Sequence, residues 1–376
     1  MIENIIKYQF FIIIPPGLEE LAAMELEEKC PDLSFNTQKG GIDIETDLLT
    51  GLGLNYLLKI PNRILIRIAE FKCRDFPKLF NKLKKIDWND FISTAPTSIK
   101  TSSTSSRIFD SRKIEKTFQD AFKAYRKGRP QKSKFLESQK GCEVFLRFHN
   151  DTCTVSINTS GERLHKRGLK TQNSIASIRE NLASALFYYC LKQTKEPIKV
   201  IFNPMAGAGT LLIEAAYFYK NNDNREFDFL SFPILKNKAI NLDQKKLPNY
   251  KLIGLDQSQQ AQKAFEANTS NAKLDCQYID SDFFAPVNEN FPKPTLTLIN
   301  PPYGKRLKTE QEKLSFFNKC IKSAINWGKP DIIGIVAPSE FIRDLDVPED
   351  YEALRPLEFE NGGIPVLFRP FLHLKK

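Results

Sequence analysis

The chain has 376 residues, 41% of them hydrophobic and 27% charged, and a formal net charge of +10. That length exceeds one small core and predicts two or three domains, while the longest early apolar run, residues 10–18 (FFIIIPPGL), is a strand's length and fits neither a membrane span nor a secretory signal, so the expected compartment is the cytoplasm, with no membrane partner. Seven cysteines without a Cys-x-x-Cys pair and three histidines (His149, His165, His373) argue against a disulfide framework or a structural zinc site, and no metal is expected.

In chain order, residues 8–13 (YQFFII) read as a strand, 18–29 as a helix and 40–46 (GGIDIET) as an alternating strand, a small α+β unit ending near residue 58. Residues 63–73 read as a strand, 76–88 as an amphipathic helix, 98–104 as a strand, 111–127 as a helix and 142–160 as a hairpin. The aperiodic, basic stretch 160–174 (SGERLHKRGLKTQNS) reads as a linker. From residue 175 onward apolar strands (198–202, 250–256, 295–299, 331–338, 365–372) alternate with helical segments, which implies a mostly parallel sheet covered on both faces; the Asn-, Lys- and Asp-rich residues 221–249 interrupt that rhythm as an insertion.

Charge is unevenly spread. Residues 1–50 hold three lysines and ten acids, whereas residues 97–140 hold twelve basic residues and four acids. Residues 126–134 (RKGRPQKSK) carry five bases and no acid, the composition of either a solvated surface or a phosphate-binding one, since each neutralised phosphate releases counterions. Arg126, Lys127 and Arg129, with Lys166 and Arg167 of the basic linker, are the candidate nucleic-acid contacts.

Residues 199–216 (KVIFNPMAGAGTLLIEAA) form a strand, a tight turn and a helix, and Gly207 and Gly209 would let a ligand approach the backbone at the helix start. A plain strand-to-helix turn explains the same residues; no Gly-Lys-Ser/Thr follows, which disfavours a nucleoside-triphosphate loop. Asp256 ends the strand of 250–256 and could accept both ribose hydroxyls, or simply cap the next helix. Asp282 could take an adenine amino group, with Phe283 against the ring, or be an ordinary loop acid. At 300–303 (NPPY) a buried strand ends abruptly: proline fixes its own φ and holds the residue before it extended, so Asn300 and Pro301 present a side-chain amide and a backbone carbonyl rigidly at a strand tip.

With these stretches in view, the chain resembles the S-adenosylmethionine-dependent amino-methyltransferases, whose Asn/Asp-Pro-Pro-Tyr/Phe motif acts on exocyclic amines of bases. More narrowly, residues 203–216, 299–307, 160–168 and 178–186 are similar to bacterial 23S ribosomal RNA guanine-N2 methyltransferases, and residues 10–28 and 105–122 to the ferredoxin-like and THUMP segments of that family. The resemblance implies an α/β architecture: a Rossmann-like class I methyltransferase domain (175–376) preceded by a ferredoxin-like unit (1–58), a THUMP RNA-binding domain (59–160) and a basic linker (161–174). It implies S-adenosyl-L-methionine as cofactor, held by Asn203, Met205, Gly207, Gly209, Asp256, Asp282 and Phe283, with Asn300 and Pro301 orienting the target amine and Tyr303 stacking on the base. RNA is the implied partner, as 23S ribosomal RNA or a large-subunit assembly intermediate. Asn203, Ala206 and Ala208 depart from the family's usual Asp-Pro-Met-Cys-Gly-Ser-Gly turn, and an amide at 203 removes an attraction for the cofactor's positive end. A tRNA guanine or a DNA or RNA adenine N6 as target, and a catalytically weak RNA-binding assembly factor, are the alternatives.

Overall fold

The computed structural model describes residues 6–92, 96, 98–127, 141–173, 177–243, 245–285, 291–302, 309–341 and 344–374. Its front half is built from β1 (Lys7–Ile13), α1 (Glu19–Lys29), β2 (Phe35–Gln38), β3 (Gly41–Asp47), α2 (Leu48–Leu57), β4 (Arg63–Lys72), α3 (Phe76–Lys85), β5 (Ser98–Thr104), α4 (Ser111–Lys127), β6 (Glu143–His149) and β7 (Thr152–Asn158). These strands form one seven-stranded sheet in the order β2-β3-β1-β4-β7-β6-β5. Residues Gln9–Ile13 of β1 pair antiparallel with Arg63–Arg67 of β4, and β4 pairs on its other side with β7, so the units expected on either side of residue 58 share a sheet.

Local chemistry explains the helices. Asp47 caps α2 by accepting from Leu49 N and Thr50 N, both at 3.0 Å, and Asp75 caps α3 by accepting from Lys78 N at 2.7 Å, with Pro77 in the first turn where its missing N–H costs nothing. In α4 the buried Ile114, Phe118, Ala121, Phe122 and Tyr125 recur at helical spacing and face α3 and Trp88, whose ring meets Phe118 edge-on at 5.2 Å.

The back half comprises α5 (Glu180–Leu191), β8 (Val200–Pro204), α6 (Thr210–Tyr217), β9 (Lys251–Asp256), α7 (Gln259–Asn271), β10 (Cys276–Asp280), β11 (Thr295–Ile299), α8 (Glu310–Asn326), β12 (Ile332–Pro338), β13 (Tyr351–Ala353), β14 (Leu357–Asn361) and β15 (Ile364–His373). The sheet order is β10-β9-β8-β11-β12-β15-β13, with β14 on β15; β8 to β12 are parallel and β15 runs antiparallel to β12. Strands β8, β11 and β12 are buried along their whole length, as expected of a sheet covered on both faces. The chain lays down β8, β9 and β10 in one direction and then returns to place β11 on the other side of β8. That reversal is where a crevice opens in such sheets.

The expected linker is, in its described part 161–173, a packed element. Leu164 and Leu169 are buried, and the guanidinium of Arg225 donates to four carbonyls around which the segment is wound: Ser160 (2.8 Å), Glu162 (2.9 Å), Arg163 (2.7 Å) and Lys166 (3.1 Å). The segment lacks periodicity because side chains from elsewhere, rather than a ladder of its own, satisfy its backbone. Arg225 belongs to the insertion, which also joins the two halves: Phe227 meets Tyr56 edge-on at 4.7 Å, Phe232 meets Phe91 at 5.7 Å, and the amide of Asn222 donates to Asn55 O and Leu58 O.

Candidate active site

The C-terminal ends of β8, β9, β10 and β11 meet at the reversal. Val200–Phe202 of β8 pair with Thr295–Thr297 of β11, after which the two strands part. Asn203 stands at the parting, 1% exposed, and donates Nδ2 to Leu298 O at 2.8 Å. A side chain thus continues the β8–β11 connection where the backbone ladder ends. Asn203, expected among the cofactor contacts, instead turns its amide into the sheet, because a buried amide needs a partner and the Leu298 carbonyl supplies one.

Beyond Pro204 the backbone enters the left-handed region at alternate residues, Met205 (φ 60°), Gly207 (φ 53°) and Gly209 (φ 77°). Three hydrogen bonds hold this conformation: Ala206 N to Leu255 O at 2.8 Å, Gly207 N to Asp256 Oδ2 at 3.0 Å and Gly209 N to Ala206 O at 2.9 Å. Gly209 is required twice over, since its φ disfavours a side chain and a Cβ would stand 3.0 Å from the Phe265 ring. The turn ends at the N-terminus of α6, whose N–H groups favour negative or electron-rich ligand atoms.

Register places Asp256 beside this turn, because Pro204 pairs with Leu255. Its Oδ2 accepts from Gly207 N and its Oδ1 from Ser258 N at 3.0 Å, while Ser258 caps α7; Asp256 therefore fixes the turn while remaining half-exposed at the crevice. Asp282 lies beyond β10, exposed, with Oδ1 accepting from Phe284 N at 3.0 Å. Phe283 departs from expectation: it is 3% exposed and packed in the core under β8 and β11, so it offers no free ring face, whereas the adjoining Phe284 is half-exposed with Lys319 Nζ 4.1 Å above its ring. Asn300 is half-exposed at the tip of β11, followed by a buried Pro301 and an exposed Pro302. Tyr303 lies outside the described residues.

The expected RNA contacts divide. Lys127 is exposed at the end of α4 and Lys166 is exposed beside Glu162, at 2.9 Å. Arg126 is folded back, donating to Ile92 O at 2.9 Å with its guanidinium 5.1 Å from the Phe122 ring. Arg129 lies outside the described residues. Arg167 is a correction: it is 2% exposed and donates to Glu214 Oε2 (2.8 Å), Lys59 O (2.7 Å) and Leu164 O (3.1 Å), so its charge is spent inside the protein and not on phosphate.

Two positioning residues escape a reading by motif. Asn268, fully buried on α7, accepts from Thr171 N and Gln172 N and donates to Gln172 O and to Ala208 O, each within 2.9 Å, tying the former linker to the cofactor turn. Its signal is an amide interrupting the apolar stripe Ala261, Ala264, Phe265 at the next helical position. Glu214 is a lone carboxylate in the apolar run of α6 and receives Arg167 and the Ser184 hydroxyl, at 2.6 Å. A charge in so apolar a helix signals a buried pair.

The left-handed turn, the half-exposed Asp256 and the acid beyond β10 suit a ligand bearing an amino-acid end, a ribose and an adenine. Among the described residues no cluster of three or more His, Cys, Asp or Glu is placed to hold a metal ion, and no helix is long and apolar enough to cross a membrane. This fold and crevice define a class I methyltransferase domain joined to an RNA-binding module. The comparisons agree: residues 73–158 match the THUMP domain and residues 167–338 match "RMKL-like, methyltransferase domain". The chain therefore carries a THUMP domain and an RMKL-like, S-adenosylmethionine-dependent methyltransferase domain, the pairing of an RNA methyltransferase. It is 25% identical over 378 residues to a tRNA (guanine(6)-N2)-methyltransferase of Methanocaldococcus jannaschii, covering 94% of this chain and 97% of that one. It is 27% identical over 341 residues to ribosomal RNA large subunit methyltransferase K/L of Marinomonas sp., covering 83% of this chain but 46% of that one, so it spans about half the length of such K/L relatives. A solved structure described as a possible methylase from Clostridium difficile 630 has the same fold, with a TM-score of 0.79, 23% identity and 99% of each chain covered.

Proposed function

We propose that the chain methylates the exocyclic N2 of a guanine in 23S ribosomal RNA, working in the cytoplasm on the RNA or on a large-subunit assembly intermediate. The observation that carries this reading is the Asn300-Pro301-Pro302 tip, set directly across the β8–β11 parting from the left-handed turn Met205–Gly209. S-adenosylmethionine, when bound, supplies an electrophilic methyl group on a sulfonium. Asp256 would accept the ribose hydroxyls and Asp282 the adenine amino group, with Met205, Gly207 and Gly209 giving the backbone concavity for the amino-acid end.

An aromatic amine is a weak nucleophile because its lone pair is delocalised into the base. The side-chain oxygen of Asn300 and the carbonyl of Pro301 would accept its two hydrogens, which localises the lone pair and aims it, so orientation and electrostatics replace a strong base. Tyr303 is assigned to stacking on the base once it leaves its helix, a contact worth roughly 1–3 kcal/mol. Lys127 and Lys166 are the exposed phosphate contacts of this reading, with Arg129 beside Lys127 in sequence.

A tRNA guanine is the second reading, favoured by the match along 97% of the Methanocaldococcus jannaschii tRNA enzyme. Nucleoside mass spectrometry of separated ribosomal and transfer RNA from a deletion strain decides between them. Loss of N2-methylguanosine from 23S RNA supports the first reading, and loss from tRNA the second. Unchanged N2-methylguanosine in both refutes the guanine-N2 assignment.

A further inference from the structure

Seven large apolar side chains are exposed among the described residues, and Phe109 is the one aromatic among them, 76% exposed. It sits between two fixed points. Before it, Ile108 is buried and its carbonyl accepts from Ser103 Oγ at 2.7 Å; Arg107 N donates to Asp151 Oδ1 at 2.8 Å, and Asp151 N donates to Ser106 Oγ at 2.9 Å. After it, Asp110 starts α4, accepting from Lys113 N at 3.1 Å. The backbone on both sides is thus tied down and the ring is held out in water.

Its surroundings are cationic. Arg74 and Arg107, both exposed, flank Asp151 from two different loops, with Arg74 Nε 3.0 Å and Arg107 Nε 4.0 Å from Oδ2. The exposed Arg112 and Lys113 follow on the first turn of α4. Four basic residues against Asp110 and Asp151 leave a local excess of positive charge in the region of this exposed ring. An exposed aromatic ring on a tied-down backbone, in a cationic stretch, suits a stacked base and its phosphate, and it tolerates any base because every base has a π face.

We propose that Phe109 is a stacking platform for an unpaired nucleotide of the RNA substrate, with Arg74 and Arg107 contacting the adjoining phosphates. The proposal rests on the RNA-methyltransferase reading and assigns a second contact, on the THUMP domain, made by residues other than those of the methyl-transfer crevice. Because duplex bases are already stacked on one another, the platform selects single-stranded RNA over a blunt helix.

The test uses the full-length chain, a short unpaired oligoadenylate carrying one 2-aminopurine, and a blunt-ended RNA hairpin of equal charge. Phe109→Ala should weaken oligoadenylate binding between about five- and a hundredfold and abolish the 2-aminopurine quench, with hairpin binding and melting temperature unchanged. Phe109→Trp should keep both affinity and quench. Arg107→Ala should keep the quench at saturation while lowering the logarithmic salt slope by about 0.7. Equal oligoadenylate affinity for Phe109→Ala and wild type, or an equal loss on the hairpin, overturns the platform; loss of self-association in Phe109→Ala, with RNA affinity kept, reassigns the ring to a protein contact. Wild-type protein that binds neither RNA while retaining its fold overturns the RNA-methyltransferase reading as well.

Discussion

The amide of Asn203 donates to the carbonyl of Leu298 at 2.8 Å, two residues before Asn300, so the cofactor turn and the Asn-Pro-Pro tip are joined by one side-chain hydrogen bond. A carboxylate at 203 has no hydrogen to give. It would face the Leu298 carbonyl as an unpaired buried acceptor, which costs about 1–3 kcal/mol and more if ionised. Replacement by Asp, which the family pattern would favour, is therefore expected to lower the melting temperature and to weaken S-adenosylmethionine binding in calorimetry. Tighter binding by Asn203→Asp would mean the amide is dispensable and the turn can re-form around a charge.

Asn300 makes a separable prediction. If it orients the target amine, its contact strengthens as the nitrogen becomes tetrahedral, so Asn300→Ala should leave calorimetric cofactor affinity near wild type and slow single-turnover methyl transfer by at least about a hundredfold, the scale of losing a preorganised electrostatic contact. A wild-type single-turnover rate in that variant reduces the motif to a proline turn.

Arg167 is expected to act on stability and not on RNA affinity. Arg167→Ala removes the guanidinium paired with the buried Glu214 carboxylate and leaves it the Ser184 hydroxyl bond, which costs about 3–5 kcal/mol, whereas Arg167→Met with Glu214→Leu removes both charges and should recover much of the loss. Denaturant unfolding measures both. The salt slope of RNA binding should not change in the double variant; a slope reduced by about 0.7 would return Arg167 to the phosphate contacts.

The parallel sheet and its crevice were legible because buried strands such as TLTLI and VIFNP are short runs of β-branched and apolar residues that end at proline. What was not legible is contact made across long separations. Arg225 binding four carbonyls of the 160–166 segment, and Arg167 meeting Glu214, look in sequence like surface cations, because a guanidinium in a basic stretch gives no sign of whether it points to water or to a carbonyl. Phe283 and Phe284 pose the same difficulty on a smaller scale: adjacent rings in the turn after β10 lie with centroids 5.5 Å apart, and only packing decides which one is buried. Asn268 and Glu214 were missed as well, although each carries a sequence signal, a polar residue in an apolar helical stripe.

His165 lies in the same wound segment, buried, with Nδ1 lacking a hydrogen-bond partner. Burial, and then the positive charges of Arg167, Arg179 and Arg163 against the opposing pull of Glu180, lower its pKa from 6.5 to about 4. Between those values the unfolded chain binds a proton that the native protein excludes, so stability contributed by neutral His165 is complete above pH 6.5 and is lost as the pH falls toward 4, with no further loss below it. The segment that contains it continues to Thr171 and Gln172, which Asn268 fastens to the cofactor turn, so acidification should loosen the site before the whole molecule unfolds. His165→Gln, neutral throughout, is expected to show a shallower fall of unfolding free energy across this window, by close to one proton in the linkage slope, and a cofactor affinity less sensitive to pH. Identical slopes in the two proteins between pH 4 and 6.5 would place the acid sensitivity in other groups.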